Sequence, residues 1–296
     1  MAIPEKQLDN WSYQGAVAGS RDTYGTIRTT LNRSDSPYYL KDFEIFLQGS
    51  YVNDTNIFSE SDVDVVIQLK SIFQKDITLL SESEKHEFHS AFSNATYGFP
   101  EFKKDVLTHL VNRYGQEVKS GNKAITIPST SCRRKADIIV AIAYRRYLMF
   151  TSPKRQSYIE GIHFYDNNGE VIINYPKVHS ANLTNKHRET DQWLKPIVRI
   201  FKNLRRRLQD KGKLSPGDAP SYYLEGLLYN VPSELFRTNY ATCVSNALNW
   251  LQAANKPILK CANEQYPLVG LGSHTSWEFH KCNKFLAAAI DAWNSW

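Results

Sequence analysis

Two features that would direct a protein into or across a membrane are missing from these 296 residues. No apolar run reaches the roughly 18 residues that a membrane-spanning helix needs. The first residues, MAIPEK, lack the charged-then-apolar order of a secretory signal. We therefore expect a cytoplasmic protein with no membrane partner.

Cysteine is also scarce, and low-complexity linkers and internal repeats are absent. The four cysteines are Cys132, Cys243, Cys261 and Cys282. None of them forms a Cys-x-x-Cys pair, the spacing typical of zinc ribbons and thiol oxidoreductases. Reduced, mostly buried thiols are therefore expected. A zinc site from Cys261, His274, His280 and Cys282 is the alternative, but these spacings match no common ligand pattern.

The charge excess is small. Lys and Arg number 36 against 30 Asp and Glu, which gives a net charge of +6. This excess fits an anionic ligand, but it is too small to indicate nucleic-acid binding by itself. With 42% hydrophobic residues, a chain of this length can bury one large core or two modest ones. Composition therefore predicts a globular protein and leaves its ligand open.

The first local signal is a Gly-Ser pair after a predicted strand. Residues 43–48 (FEIFLQ) are expected to form the strand, and Gly49 and Ser50 follow it. Glycine lets a backbone approach an anion closely, and serine adds a backbone N–H and a hydroxyl. The pair therefore predicts a turn that holds a phosphate group.

The second signal is a set of aspartates in strand-like surroundings. Asp62 and Asp64 begin a β-rich run, and their spacing of two points both to one face of a strand. Asp137 is the only acid in the apolar run 136–141 (ADIIVA). Carboxylates this close repel unless a cation lies between them, and their oxygens suit Mg²⁺ or Mn²⁺. The trio favours a two-metal phosphoryl-transfer site over the alternative, the polar face of a half-exposed strand.

Hydrophobic periodicity divides the chain into two lobes. From Leu183 to Trp296 the apolar residues repeat at the helical spacing of about 3.6, whereas strands and helices are mixed before it. We predict an α+β lobe over residues 1–182 and a helical lobe over residues 183–296. Residues 5–32, which lack proline, are predicted to form one long helix. The predicted strands are 43–48, 62–69, 117–119, 124–127, 135–147, 158–165 and 171–174.

The helical lobe is expected to carry a basic helix face. Residues 190–211 are predicted to form a helix with Thr190 or Asp191 as N-cap and Gly212 just after its end. Basic residues recur along it at Lys195, Arg199, Lys202 and Arg206. A solvated surface is the alternative to a ligand face. The single sign of the charges favours a ligand face, as does the next helix, which is predicted to begin with an anion-binding N-cap Ser221.

Several motifs together resemble a known family. The Gly-Ser pair, the Asp-x-Asp pair and a later strand-borne Asp resemble the polymerase-β-type nucleotidyltransferase superfamily. Further motifs resemble the bacterial cGAS/DncV-like nucleotidyltransferases of clade E, the CdnE-like cyclic dipyrimidine synthases, over nearly the whole chain. These motifs are residues 3–8 (IPEKQL), 48–51 (QGSY), 53–56 (NDTN), 61–66 (SDVDVV), 174–177 (NYPK), 201–203 (FKN) and 220–222 (PSY).

The resemblance implies a fold and a metal chemistry. The implied fold is bilobal and α+β: a polymerase-β-like core with a mixed sheet, a long N-terminal spine helix and a C-terminal helical domain like that of oligoadenylate synthases. The resemblance also implies that Asp62, Asp64 and Asp137 are catalytic and bind two Mg²⁺ ions, for which Mn²⁺ is an expected substitute.

The resemblance further implies a set of nucleotide contacts. In the family, a lysine of the basic helix and the serine that opens the next helix hold the donor triphosphate, and the following tyrosine stacks on the base. The matching positions are Lys202, Ser221 and Tyr222; core packing is the alternative for the tyrosine. Lys195 is a further candidate that could instead point to solvent. The full set of expected nucleotide-binding residues is Gln48, Gly49, Ser50, Asn174, Lys195, Lys202, Ser221 and Tyr222.

Asn174 falls where the family places a residue that faces the donor base. Its amide offers both a donor and an acceptor, so it can pair with the edge of a uracil, and it can flip to suit cytosine. The resemblance, in which asparagine accompanies pyrimidine use, favours uracil. Without the resemblance, a strand-end asparagine that serves a turn is the simpler interpretation.

The function implied by the resemblance is that of a cyclic dinucleotide synthase. The enzyme would link UTP and ATP into cyclic di-UMP or cyclic UMP–AMP in bacterial anti-phage (CBASS) signalling. Its partner would be an effector protein encoded elsewhere, and no nucleic acid would be required. The residues alone leave two alternatives open: nucleotide transfer to RNA or a small molecule, and a non-catalytic nucleic-acid-binding module.

Overall fold

In the computed structural model, strands are concentrated in the first part of the chain and helices in the second. The structure describes residues 2–15, 17–58, 62–93, 95–271 and 275–296. The strands are β1 (Phe43–Gln48), β2 (Val63–Asp76), β3 (Lys119–Ser120), β4 (Ile125–Ile127), β5 (Ala136–Ser152), β6 (Arg155–Tyr165), β7 (Val171–Asn174), β8 (Val269–Gly270) and β9 (Trp277–Glu278). The α-helices are α1 (Glu5–Ser12), α2 (Ala18–Leu31), α3 (Gly49–Val52), α4 (Glu82–Ala91), α5 (Phe99–Tyr114), α6 (Pro176–Glu189), α7 (Leu194–Asp210), α8 (Ser221–Tyr229), α9 (Tyr240–Ala253) and α10 (Phe279–Asn294).

Two units with separate buried cores divide these elements. The sheet unit consists of Ala18–Gln48 and Asp62–Pro176. The helical unit consists of Met1–Val17, Gly49–Ser61 and Lys177–Trp296. The sequence predicts a single boundary after residue 182, whereas the observed units are interleaved along the chain. The difference arises because α6 already begins at Pro176, a residue suited to the first turn of a helix, and because two short upstream stretches pack with the C-terminal helices.

A mixed β-sheet organises the sheet unit, as the sequence predicts. In the described residues its strand order is β1-β2-β5-β4-β3, with β6 paired to β5 and β7 paired to β6. Strands β2 and β5 run parallel, and the other pairs are antiparallel. Alternate residues of the central strands, such as Val65 and Ile138, are buried beside Phe102 of α5.

Strands β2 and β5 are longer than the periodicity indicates. The predicted end of β2 is Leu69, but the strand continues to Asp76 after a register shift between Leu69 and Phe73. Beyond the shift, Phe73 packs against Phe88 and Tyr147 in a separate aromatic cluster. Such an irregularity breaks the period of two, so a pattern search stops at it.

The N-terminal segment forms two helices rather than the predicted single spine helix. Helix α1 belongs to the helical unit and α2 to the sheet unit. Gly15 lies against a neighbouring backbone: its N–H donates to the carbonyl of Asn56 at 2.9 Å, and a Cβ at this position would lie 2.6 Å from the backbone of Ile57. A continuous helix with a side chain here is incompatible with that approach.

Helix α7 is the central element of the helical unit. The predicted apolar stripe is confirmed, since Ile197, Phe201 and Leu204 are fully buried. The helix begins at Leu194, four residues later than predicted, because positive φ angles at Asp191 and Gln192 interrupt the helical path. It ends as predicted, before a glycine at position 212 with φ of 67°.

Two of the predicted absences can be compared with the structure. None of the helices in the described ranges has the length and hydropathy of a membrane span. All four cysteines are unpaired, and the expected burial holds for Cys243, Cys261 and Cys282, whereas Cys132 is exposed.

Candidate active site

Four polar residues form a row across neighbouring strands of the sheet unit. Gln48 of β1 pairs with Asp64 of β2, Asp64 pairs with Asp137 of β5, and Asp137 pairs with Thr126 of β4. Paired residues point to the same face, and neighbouring strands are about 4.8 Å apart, so the carboxylates of Asp64 and Asp137 are close neighbours. The alternate positions, such as Val63, are buried on the other face. The register therefore brings together two of the three predicted catalytic aspartates.

Lys135 links the third aspartate to this row. Its ammonium lies 2.7 Å from Asp62 Oδ2 and 2.9 Å from Asp137 Oδ2. The hydrogen bond to Asp62, followed by the bond to Asp137, raises the pKa of Lys135 above its ordinary value despite partial burial. The Thr126 hydroxyl donates a hydrogen bond of 2.6 Å to Asp137 Oδ1. Lys135 is not among the site residues predicted from the sequence, although its position two residues before Asp137 places it on the same strand face.

Two of the three aspartates, Asp62 and Asp137, are bridged by one cation. Among the described residues, no three acidic, histidine or cysteine side chains are arranged to hold a metal ion. Instead, the Lys135 ammonium lies between Asp62 and Asp137. Carboxylate oxygens are the ligands that Mg²⁺ prefers, and here Asp62 Oδ2 and Asp137 Oδ2 already lie close enough to contact one and the same ammonium. The residues therefore fit a divalent ion that takes the place of the ammonium.

Gln48, a predicted nucleotide contact, lies at the edge of this row with an unused acceptor. Its Oε1 is buried and has no hydrogen-bond partner in the part of the chain that the structure describes. Buried acceptors usually have a donor, so the position next to Asp64 is suited to a ligand or water that donates one.

Asn174 lies at the end of β7, where its side chain serves a turn and keeps one free group. Its Oδ1 accepts a hydrogen bond from the backbone N–H of Tyr175 at 2.8 Å. The Tyr175 N–H needs an acceptor, and only the oxygen of the Asn174 amide can accept, so this bond fixes the orientation of the amide. The Nδ2 group has no partner among the described residues. The turn interpretation is therefore realised, and the group that remains for a base is a donor only.

Gly161 of β6 permits the close approach of this strand end. A Cβ at Gly161 would lie 2.7 Å from the Asn174 carbonyl oxygen and 2.9 Å from the ring of Tyr175. The carbonyl of Gly161 also accepts a hydrogen bond from Gln68 Nε2 at 3.3 Å. A side chain at this position would push the end of β7 away.

The Gly-Ser pair adopts the predicted tight turn in the helical unit. Gly49 has φ of 75°, a conformation that favours glycine, and starts the single helical turn α3. The turn is closed by hydrogen bonds from Asn53 N to the Gly49 carbonyl at 3.3 Å and from Thr55 N to the Ser50 carbonyl at 2.9 Å. The motif residue Ser61 lies outside the described residues. Phosphate binding by this turn stays a prediction.

The basic face of α7 differs from the predicted open ligand face. Lys202 is 0% exposed, and its ammonium lies 3.2 Å from Glu225 Oε1. Lys195 is also buried and forms an ion pair of 2.9 Å with Asp54. The Arg199 guanidinium donates to the backbone carbonyls of Ser12 and Asp54. These cations neutralise and pack against residues 53–56 and α8, so Lys202 is not accessible to a triphosphate in this arrangement.

Ser221 and Tyr222 open helix α8, although the cap differs from the prediction. Pro220 is the N-cap residue and Ser221 the first helical residue. Arg205 donates to Ser221 Oγ at 3.1 Å and to the Ala219 carbonyl at 2.9 Å. The structure thus adds a cation, absent from the predicted site, next to the predicted phosphate-binding serine.

Tyr222 is half-buried and held at both ends. Its ring stacks on His179 with centroids 4.9 Å apart and an interplanar angle of 21°. Its hydroxyl accepts a hydrogen bond from Asn263 Nδ2 at 3.0 Å, and burial raises the pKa of the phenol. The ring is therefore fixed in orientation, as a base-stacking platform requires, and base stacking itself stays a prediction.

Comparison with known proteins identifies the family. Residues 181–294 match the model of the cGAS/DncV-like nucleotidyltransferase C-terminal helical domain. The chain is 38% identical to the cyclic UMP-AMP synthase of Rhodothermus marinus over 100% of this chain and 99% of that protein. The chain belongs to the cGAS/DncV-like nucleotidyltransferases. It is also 33% identical to the cyclic dipurine nucleotide synthase of Elizabethkingia meningoseptica over 84% of each protein.

A solved structure supports the same assignment for the whole chain. The Rhodothermus marinus c-UMP-AMP synthase, solved with Apcpp and Upnpp, superposes with a TM-score of 0.88 and covers 99% of this chain and 97% of its own. The predicted family and the α+β fold with a mixed sheet and a C-terminal helical domain are therefore confirmed. As a cGAS/DncV-like nucleotidyltransferase, the protein is an enzyme.

The position of Asn174 in this cGAS/DncV-like nucleotidyltransferase can be tested through Gly161. We expect Gly161→Ala to lower the free energy of unfolding by about 1–3 kcal/mol, because the added methyl group displaces backbone rather than a flexible side chain. Thermal and urea unfolding would measure the loss. The matched control is Gly25→Ala in α2, where a Cβ meets nothing within 4 Å and should stabilise the helix by up to about 1 kcal/mol. Equal stability of the two variants would contradict the close approach.

Proposed function

We propose that the protein joins two nucleoside triphosphates into a cyclic dinucleotide. In each of two steps, a ribose hydroxyl oxygen attacks the α-phosphorus of a triphosphate, the bond to the β-phosphate oxygen breaks, and pyrophosphate leaves. The hydroxyl proton passes to solvent or to a nearby base. The observation that carries the proposal is the row of Asp64 and Asp137 on paired strands, with Asp62 joined to it through Lys135. The similarity to named cyclic dinucleotide synthases supports it.

We infer that Asp62, Asp64 and Asp137 hold two Mg²⁺ ions, with Mn²⁺ as a substitute. The bound ions would neutralise the triphosphate and lower the pKa of the attacking hydroxyl. The carboxylates supply hard oxygen donors, and Thr126 orients one of them through its hydrogen bond to Asp137. The neighbouring Gln48, whose Oε1 has no partner among the described residues, would accept a hydrogen bond from substrate.

The helical unit supplies the proposed contacts to the nucleotides. The Gly49–Ser50 turn offers a backbone that an anion can approach, and Ser221 offers a hydroxyl beside the Arg205 guanidinium. Tyr222 offers a fixed ring for stacking on a base. The buried Lys202 supports this arrangement through Glu225 rather than by touching a phosphate.

We propose that at least one base of the product is uracil, which gives cyclic di-UMP or cyclic UMP–AMP. Relatives at similar identity are named for UMP-AMP and for dipurine products, so the bases depend on residues of this chain. Asn174 presents Nδ2 as a donor, because Oδ1 is engaged by Tyr175. A donor matches either carbonyl oxygen of uracil, and the side chain occupies space that a purine needs.

We further propose that UTP and ATP are the substrates and that no nucleic acid is required. The product would act in bacterial anti-phage (CBASS) signalling by activating an effector protein encoded elsewhere, with synthesis in the cytoplasm. The family membership and the presence of triphosphate analogues in the related structure support this role.

The proposed reaction is tested by incubation with all four NTPs and Mg²⁺, without nucleic acid, followed by mass spectrometry. We expect a phosphatase-resistant cyclic dinucleotide that contains UMP, two pyrophosphates per product, and no product from Asp64→Asn or in excess EDTA. Label that transfers only to added RNA or to a small molecule would support the alternative transferases. Persistent synthesis by Asp64→Asn would reject the aspartate row as the catalytic site.

The cation site is tested with Lys135→Met in the absence of nucleotide. Without divalent ions, loss of the bridging ammonium should lower the free energy of unfolding by about 1 kcal/mol or less, since the pair is partly exposed. Addition of Mg²⁺ should then raise the melting temperature more than in the wild type, because ion and ammonium compete for the same carboxylate oxygens. Arg134→Met, which removes an equal charge one residue away, is the control. An equal Mg²⁺ response in both variants would contradict competition at this site.

The base-reading role is tested with Asn174→Ser and Asn174→Asp. Either side chain can still accept the Tyr175 N–H, but neither presents an amide donor. We expect UTP use to weaken by about 1–3 kcal/mol in kcat/KM, with the smaller serine shifting preference towards purines. Competition between labelled UTP and ATP would measure this. Unchanged UTP preference in both variants would remove Asn174 from base selection.

A further inference from the structure

Glu225 is a buried acid of α8 that lies outside the row of aspartates. Glu225 is only 3% exposed to solvent, and each of its two carboxylate oxygens has two polar partners. Oε1 accepts from the Thr55 hydroxyl at 2.5 Å and lies 3.2 Å from Lys202 Nζ. Oε2 accepts from the Asn53 amide at 3.2 Å and lies 2.8 Å from His179 Nε2. Side chains from the 53–55 segment, α6 and α7 therefore converge on one carboxylate.

The charge of Glu225 is fixed by these partners. Burial opposes ionisation, but the Lys202 ammonium and the hydrogen bonds from His179 and Thr55 outweigh it and hold the pKa of the carboxyl below its usual range. A buried ammonium and a buried carboxylate each carry a large desolvation cost unless they remain paired. The segments that carry them are therefore held together rather than free to slide.

On one side, this carboxylate fixes the Gly49–Ser50 turn. Thr55 donates its hydroxyl to Glu225 and its backbone N–H to the Ser50 carbonyl. Asn53 donates its amide to Glu225 and its backbone N–H to the Gly49 carbonyl. Both residues that close the turn are thus anchored by the same acid.

On the other side, the carboxylate fixes the ring of Tyr222. His179 contacts Glu225 through Nε2, and its imidazole stacks on Tyr222. His179 is 4% exposed, so its ring cannot easily turn away. The bond between His179 and Glu225 therefore supports the ring of Tyr222 at its stacked face, and Asn263 holds its hydroxyl.

We infer that Glu225 is a positioning residue that holds the Gly49–Ser50 turn and the Tyr222 ring in one arrangement, so that triphosphate and base contacts form together. The inference rests on the proposed function, which assigns nucleotide contacts to these two elements. Glu225 lies outside the proposed nucleotide contacts, and it acts through Thr55, Asn53 and His179.

Removal of Glu225 itself would leave a buried Lys202 without its counter-ion, and such a variant can fail to fold. Thr55→Val is the sharper test, because it keeps the shape and the charges and removes the hydroxyl. Thr55→Ser keeps the hydroxyl and serves as the rescue variant. Thr30→Val is the control, because it makes the same chemical change in the sheet unit, where it removes a buried hydroxyl that is hydrogen-bonded to Tyr114.

Binding of a non-hydrolysable UTP analogue is measured by calorimetry for each variant, together with the melting temperature. We expect Thr55→Val to weaken binding about five- to tenfold and to raise KM by a similar factor, while Thr55→Ser and Thr30→Val stay within about twofold of wild type. A merely structural role predicts lower melting temperatures with equal affinity per folded molecule. Equal affinity of Thr55→Val and Thr30→Val would overturn the inference.

Coupling through the carboxylate is tested with a second variant. His179→Phe retains a ring beside Tyr222 but loses the contact to Glu225, so it should also weaken analogue binding. If both changes act through Glu225, the double variant should lose less affinity than the product of the two single losses. Fully multiplicative losses would reject a shared carboxylate.

The same measurements distinguish this inference from the proposed reaction. A wild-type protein that binds the analogue but makes no cyclic product would reject the reaction and leave the affinity comparison intact. An active wild type with unaltered binding in Thr55→Val and His179→Phe would reject only the positioning role. A wild type that binds no triphosphate would reject both.

Discussion

The strand register of the sheet unit places two carboxylates side by side, and their repulsion is the constraint that the candidate site must satisfy. The parallel pairing of β2 and β5 fixes Asp64 beside Asp137, and no side-chain rotation removes both charges from that face. Such a pair repels unless a cation lies nearby or one carboxylate binds a proton. In this structure Lys135 meets the requirement for Asp137 and joins Asp62 to the group. Asp62 and Asp137 are thus already held by one ammonium, which is the group that a divalent ion at these oxygens would have to displace.

The helical unit shows the complementary arrangement, in which buried cations are the charges that need partners. Lys195 and Lys202 of α7 are both buried, and acids from different segments neutralise them: Asp54 from the stretch after the Gly-Ser turn and Glu225 from α8. Charge pairing of this kind contributes little net stability compared with apolar packing, but it permits few alternative arrangements. The turn that follows β1 is therefore tied to the C-terminal helices by electrostatics as well as by the chain.

Much of the sheet unit and of the aspartate site could be predicted from the sequence, because both depend on local rules. Period-2 alternation located β1 and β7 to the residue, and the isolated acid Asp137 in an apolar run marked a site. The basic face of α7 could not be interpreted correctly, since helical spacing shows which residues share a face but not what covers it. The covering residues lie about 140 positions earlier in the chain, at Asp54 and Thr55.

The residues that sequence reasoning missed had a usable signal. Glu225 is the only acid in the apolar helix SYYLEGLLY, which is the same pattern that singled out Asp137. A charged residue alone in an apolar segment indicates a buried partner whether it serves a ligand or the fold. Helix interruptions were harder to anticipate, because the backbone approach at Gly15 and the positive φ angles at Asp191 and Gln192 depend on tertiary contacts.

The interleaving of the two units along the chain has a consequence for synthesis in the cell. Glu5 in α1 accepts hydrogen bonds from the backbone N–H groups of Tyr240 and Ala241 at 2.7 and 2.8 Å. At translation rates of about 5–20 residues per second, α1 leaves the ribosome on the order of ten seconds or more before α9 exists. The sheet unit is complete in sequence by Pro176, whereas the helical unit needs nearly the whole chain. A nascent or truncated chain that ends after Pro176 therefore carries all three aspartates but lacks the C-terminal helices that complete the helical unit.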